Sequence, residues 1–157
     1  MRVLSLPTVK HTGSNFVLSL LGGEYLNIKR GYVGEGVYFD HLWPHKRGLW
    51  KPLLDQMPCI VPLRHPDAVA GTWAARNRDL NDLIREWREL EWLSANYAPY
   101  FLPVDTSDRD QHLQRINEGL GLSLKTDWEP VRSKGSAPVK SPVWLPLFDR
   151  FYSRRLG

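Results

Sequence analysis

The stretch Lys10-His11-Thr12-Gly13-Ser14-Asn15-Phe16 lies between two apolar runs, Val3, Leu4 and Leu6 before it and Val17, Leu18, Leu20 and Leu21 after it. A strand that ends in such a Gly/Ser/Thr turn and leads at once into a helix turns unpaired backbone N–H groups and the positive helix end toward whatever lies above. The chemistry this suits is the binding of an anion, most often phosphate. It is not a triphosphate loop of the Walker kind, which needs Gly-Lys-Ser/Thr after a first glycine and four further residues. Gly13 is followed only by Gly22 and Gly23, and no lysine comes after either. Taken alone, the turn fits equally well a strand-to-helix junction capped by Thr12 or Ser14, with no ligand.

Two later apolar runs also end in polar groups. Val37-Tyr38-Phe39 leads into Asp40-His41-Leu42-Trp43-Pro44-His45, and Cys59-Ile60-Val61-Pro62-Leu63 leads into Arg64-His65-Pro66-Asp67, with Thr72 eight positions after Arg64. His41 and His45 have the spacing of a metal pair. Trp43-Pro44 forbids the regular helix that would align them, and no third ligand is obvious, so no metal is expected.

The elements that must carry these residues follow from periodicity and punctuation. Met1 to Leu6 predicts a strand, and about Ser14 to Leu21 a helix stopped by Gly22-Gly23. Residues 24–36, with Gly31, Gly34 and Gly36, read as loop with at most a short regular piece. Leu49 to Gln56 predicts a helix held to one or two turns by Pro52, with Leu49, Leu53 and Leu54 inward. Cys59 to Leu63 reads as a buried strand, and Pro66 with Asp67 suits the first turn of a helix that carries Val69, Thr72 and Trp73.

Leu80, Leu83, Ile84, Trp87, Leu90 and Leu93 recur at helical spacing, while Arg78 with Asp82 and Arg85 with Glu89 pair four apart on the expected wet side. Tyr100 to Val104 predicts a fourth strand; Asp105 to Asp108 caps a helix that Gly119 or Gly121 ends. From about residue 125, Pro130, Pro138, Pro142 and Pro146 predict an irregular segment wrapped on one domain spanning 1–157. Strands alternating with helices predict an α/β fold: a three-layer, mostly parallel sheet with helices on both faces and ligands at the strand C-terminal ends.

Composition sets the outer bounds. With 157 residues, 42% of them hydrophobic and 24% charged, the chain suits one soluble domain with an ordinary core. A net charge of +4 favours anionic partners, yet the excess is spread along the chain and no nucleic-acid motif accompanies it, so nucleic acid is not expected. The single cysteine, Cys59, sits in an apolar run and cannot form an internal disulfide, which fits a reducing cytoplasm. No secretory leader and no stretch of the roughly 20 apolar residues that span a bilayer is present, so no membrane partner is expected.

Together, the loop at 10–16, Asp40-His41-Leu42 and the Arg64/Thr72 pair resemble the sulfotransferase family that uses 3′-phosphoadenosine 5′-phosphosulfate (PAPS). Thr12-Gly13-Ser14-Asn15-Phe16 is similar to the Ser-Gly-Thr-Thr-Trp part of that family's first loop. The run from Phe39 through Leu53-Leu54-Asp55-Gln56 to Leu63-Arg64 is similar in order and length to its second motif and the strand that follows. Trp87 to Asp105 and Gly119-Leu120-Gly121-Leu122 extend the likeness over nearly the whole chain. The resemblance implies a P-loop NTPase-like sulfotransferase fold and transfer of a sulfuryl group from PAPS, with the bisphosphate PAP as product, to a hydroxyl or amine of a small-molecule or glycan-like acceptor.

It also implies roles. Lys10, His11, Thr12, Gly13, Ser14 and Asn15 would receive the 5′-phosphosulfate, with Phe16 stacking on adenine. Arg64 and Thr72 would hold the 3′-phosphate, aided by the faint late loop Arg132-Ser133-Lys134-Gly135. His41 would be the general base, with Lys10 or His11 supplying positive charge on the catalytic side, and Trp43, Trp50 and Trp73 could line an acceptor pocket. The departures are specific. The family's loop lysine falls on His11, with Lys10 one place early, and the lysine two places before the family histidine is Phe39 here. The chain also lacks room for the usual substrate-covering insertions, which implies an open acceptor site or one completed by a second subunit. Two other classes stay open: a non-catalytic 3′-phosphoadenosine nucleotide-binding protein, and a small P-loop-type phosphotransferase that the missing Walker lysine disfavours.

Overall fold

The computed structural model describes residues 3–4, 9–22, 25–27, 36–126 and 136–154. In chain order the elements are β1 (Val3–Leu4), α1 (Ser14–Leu20), β2 (Leu26–Asn27), β3 (Val37–Phe39), a 3-10 turn (Pro44–Lys46), α2 (Arg47–Leu54), β4 (Ile60–Leu63), α3 (Pro66–Ala75), α4 (Leu80–Asn96), β5 (Tyr100–Pro103), α5 (Arg109–Leu120) and a closing 3-10 turn (Pro146–Arg150). The architecture is mixed α/β, and every strand pair described is parallel. β3 lies between β1 and β2, and β4 pairs with β5 from Ile60 opposite Tyr100 to Leu63 opposite Pro103.

Among the described residues the strands form two small sheets, where a single sheet was expected. Pro62 at the centre of β4 and Pro103 at the end of β5 have no N–H to give, which suits strands with an unpaired edge. Burial alternates across β4 and β5 all the same. Ile60, Leu102 and Val104 face a cluster with Val17 of α1 and Leu113, Ile116 and Leu120 of α5. Cys59, Val61, Leu63 and Phe101 face the larger core with α2, α3, α4 and the chain after residue 142. Helices therefore cover both faces of this sheet. Burial pushes the Cys59 thiol pKa up, as befits a core side chain.

Local rules place the helices. Asp79 accepts the Asn81 N–H at the start of α4, and Gly121 closes α5 in the left-handed conformation at φ 64°. Pro52 sits inside α2, which ends two residues later at Leu54. The inward residues of α2 are Trp50, Leu53 and Leu54, with Leu49 only partly buried. On α4, Leu83, Trp87, Leu90 and Leu93 are buried as the spacing required.

Glu89 departs from the expected wet face. It is 6% exposed and forms a two-pronged ion pair with Arg47 of α2, at 2.5 and 2.9 Å, while Arg85 pairs instead with Asp82 at 3.1 Å. A buried carboxylate needs such a partner, and the Arg47 fork supplies it across the helix packing. The segment from residue 136 is strapped to α3: Val139 N–H donates to the Asp67 carbonyl (3.1 Å) and Ser141 N–H to the Asp67 carboxylate (2.9 Å). The strap passes so close that a Cβ on Gly71 would lie 2.1 Å from the Ala137 carbonyl oxygen. Among the described residues, no helix is long and apolar enough to cross a membrane.

Candidate functional site

The loop between β1 and α1 is built by two left-handed residues, His11 at φ 67° and Gly13 at φ 89°. Gly13 is required twice over, by its backbone conformation and by Val104, whose methyl carbons would lie 3.0 and 3.1 Å from an added Cβ. Thr12 is buried, and its hydroxyl donates to the Val9 carbonyl at 2.6 Å. It therefore braces the turn from inside. Ser14 begins α1 and Asn15 is exposed beside it.

Lys10 is held at both ends of its residue. Its N–H donates to Glu86 Oε1 of α4 (3.1 Å), and its carbonyl accepts from Trp73 Nε1 of α3 (3.1 Å). Its ammonium rests 4.7 Å from the centroid of the Trp43 ring. Glu86 is only 2% exposed, and burial raises its pKa from 4.5 to about 7, against the smaller pull of Lys10 and Arg78. Burial, with Arg76, Arg78, His41 and Lys10 adding to it, lowers the His11 pKa to about 4. At neutral pH His11 is therefore uncharged, and the loop's cation is Lys10.

His41 faces the same space. A cavity of about 460 Å³ is walled by Lys10, His11, Gly13, Ser14 and Asn15 from the loop, by Phe39, His41 and Trp43 from the end of β3, and by Arg78. The alternate side chains Phe39, His41, Trp43 and His45 form a ladder of rings, with neighbouring centroids 5.4, 5.7 and 5.7 Å apart. Asp40 sets its start: its carboxylate accepts the His41 N–H (2.7 Å) and the Lys46 ammonium (2.8 Å). A second cavity of about 560 Å³ shares Lys10, Trp43 and Arg78 and continues to His45, Trp73 and Glu86.

Arg64, at the end of β4, approaches the loop from the other side. Its Nη1 donates to Thr72 Oγ1 at 3.1 Å and to the His11 carbonyl at 3.3 Å. Desolvation works against its charge, and Asp105 at the end of β5 supports it. Asp105 in turn accepts from Tyr152 Oη (2.8 Å) and from the His65 N–H (2.9 Å). His65 Nδ1 accepts the Asp67 N–H, so Nε2 carries the proton and donates to the Ser153 carbonyl at 2.7 Å. The last described residues thus close over the Arg64 side of the strand ends.

The structure brings together Lys10, His11, Gly13, Ser14, Asn15 and His41 in one cavity, with Arg64 and Thr72 hydrogen-bonded to each other behind His11. Phe16 is half-buried against the α1/α5 cluster and forms no part of that cavity's wall. Trp43 and Trp73 line the second cavity, whereas Trp50 is fully buried in the core. Arg132, Lys134 and Gly135 lie outside the described residues. Among the described residues, no group of three or more His, Cys, Asp or Glu is arranged to hold a metal ion. Sequence reasoning missed Glu86 and Arg78. On the helical pattern Glu86 is one more charge between apolar positions, and no local signal marks a carboxyl that will be buried.

Comparison with known protein families, with characterised proteins and with solved structures finds no match.

Proposed function

We propose that the chain is a sulfotransferase of P-loop-like fold that moves a sulfuryl group from PAPS to a hydroxyl or amine acceptor. The observation that supports this most is a convergence. His41 and the Lys10–Asn15 loop share one cavity, and Arg64 joins the same loop at the His11 carbonyl while bonding Thr72. These are the three stretches whose order and spacing resemble the family.

The donor supplies an activated sulfuryl group: its sulfur–oxygen bond to the 5′-phosphate breaks as a bond to the acceptor oxygen or nitrogen forms. What remains for this chain is placement and charge. His41 accepts the proton the acceptor loses, a step worth about 10²- to 10⁴-fold. The ammonium of Lys10 and the N–H groups at Gly13, Ser14 and Asn15 balance the charge that grows on the leaving phosphate. Because His11 is neutral, its ring is a wall and its carbonyl an anchor for Arg64. Arg64, with Thr72, grips the 3′-phosphate and selects the nucleotide.

One observation favours a non-catalytic nucleotide-binding protein as the second reading: Phe39 puts an aromatic ring 5.4 Å from His41 where the family carries a lysine. Transfer of labelled sulfate from PAPS to members of an acceptor panel separates the two. The wild type transfers label and His41→Ala loses at least about 100-fold in rate. Nucleotide binding without transfer to any acceptor would leave the binding protein, and neither binding nor transfer would reject both readings.

A further inference from the structure

The two cavities meet along a seam formed by Lys10, Trp43 and Arg78. Three cations around this seam are paired: Lys46 with Asp40 at 2.8 Å, Arg47 with Glu89 at 2.5 Å, Arg85 with Asp82 at 3.1 Å. Lys10 and Arg78 are not. Among the described residues neither has a carboxylate within ion-pair distance, and each instead lies over an indole, Lys10 on Trp43 at 4.7 Å and Arg78 on Trp73 at 5.8 Å.

The carboxyl nearest in effect, Glu86, spends one oxygen on the Lys10 backbone N–H. Burial first, and then Arg76, Arg78, His41 and Lys10 in falling order, push the neighbouring His11 toward its neutral form. Asp79, Asp82 and Glu86 line the second cavity, whereas the walls of the first carry no carboxylate, so on that side Lys10 and Arg78 leave a local positive potential. It is matched by a compact oxyanion that can take donors from two sides.

We propose that Lys10 and Arg78 form an anion subsite at the seam, fitted to a sulfate or phosphoryl group and separate from the Arg64/Thr72 pair. That the group seated there is the sulfuryl in transfer rests on the sulfotransferase reading. Arg78 is then the second cation on the reacting group, in place of the positive charge that Phe39 does not carry. The acceptor enters from the Trp73 and Glu86 side, and the nucleotide lies on the loop side.

The test uses the ¹⁵N-labelled full chain, titrated with sodium sulfate and separately with adenosine 3′,5′-bisphosphate at constant ionic strength in chloride. Amide shifts of Lys10 and Gly13 give the affinities. Arg78→Met weakens sulfate binding about tenfold or more, a larger loss than Arg64→Met causes, while Arg64→Met weakens the bisphosphate more than it weakens sulfate. Arg78 is exposed and Arg64 is partly buried, and the amide spectrum reports directly whether each variant keeps its fold. Sulfate affinity equal in wild type, Arg78→Met and Lys10→Met, or sulfate no better than chloride, would overturn the subsite. Loss of sulfate in Arg78→Met with no bisphosphate binding at all would keep the subsite and reject the nucleotide reading.

Discussion

Glu86 gives the structure a pH dependence that can be worked out in advance. Its pKa is 4.5 in an unfolded chain and about 7 in the fold, and the first cause is burial, with Lys10 and Arg78 opposing and Asp82 adding to it. Below pH 4.5 the carboxyl is neutral in both states and contributes nothing. As pH rises from 4.5 to about 7, the unfolded chain ionises first, so this group makes the fold steadily less stable; above about 7 the loss is complete. A displacement of that size corresponds to a loss on the order of 3 kcal/mol.

Glu86→Gln removes the ionisation and keeps an amide oxygen to accept the Lys10 N–H. The readout is the difference between variant and wild type, because other carboxylates shift both proteins alike. Calorimetric unfolding from pH 5 to 8.5 is expected to show the variant gaining on the wild type as pH rises. By pH 8 the relative gain reaches about 6–12 °C in Tm for a domain of this size. Two curves that run parallel across the range would refute the reasoning, since they would mean that Glu86 ionises in the fold as freely as in water.

Two further outcomes follow from close approaches. Gly13→Ala forces a left-handed alanine against Val104, and is expected to cost about 1–3 kcal/mol in a urea melt and to abolish the Lys10 amide response to sulfate. Gly71→Ala drives a methyl into the Ala137 carbonyl, and is expected to free the strap, so that limited proteolysis cuts around residue 137 at least several times faster than in wild type while the α4 core stays protected.

What was legible in the sequence was what local rules determine. The apolar spacing from Leu80 to Leu93 defined α4, Pro66 opened α3, and of the two glycines expected to end α5 it is Gly121 that does so; the Asp79 cap of α4 was not read from the sequence. The parallel pairing of β4 with β5 and the cover on both faces followed from strands alternating with helices. The resemblance paired Arg64 with Thr72 as joint holders of a 3′-phosphate; the structure places them together, because eight residues carry one side chain from the strand end to the second turn of the next helix, and there they bond each other.

The misses share a different cause. Glu89 read as half of a surface pair with Arg85 because the i,i+4 rule sees only its own helix; the partner that buries it, Arg47, lies 42 residues away. Glu86 was overlooked for the same reason, since its meaning comes from Lys10, 76 residues distant. Trp50 was offered with Trp43 and Trp73 as a possible pocket wall near His41, whereas its side of α2 faces the core.

Under the proposed function, Arg64 and the Lys10–Asn15 loop clasp one doubly phosphorylated adenosine beside the cavity that the loop shares with His41. Isothermal titration of the wild type and Arg64→Ala with adenosine 3′,5′-bisphosphate, AMP and ATP tests it most directly. The account predicts that the wild type binds the bisphosphate at least about tenfold more tightly than AMP or ATP, and that Arg64→Ala loses this preference while still binding AMP. Equal affinity for all three nucleotides, or a bisphosphate preference that survives Arg64→Ala, would contradict it.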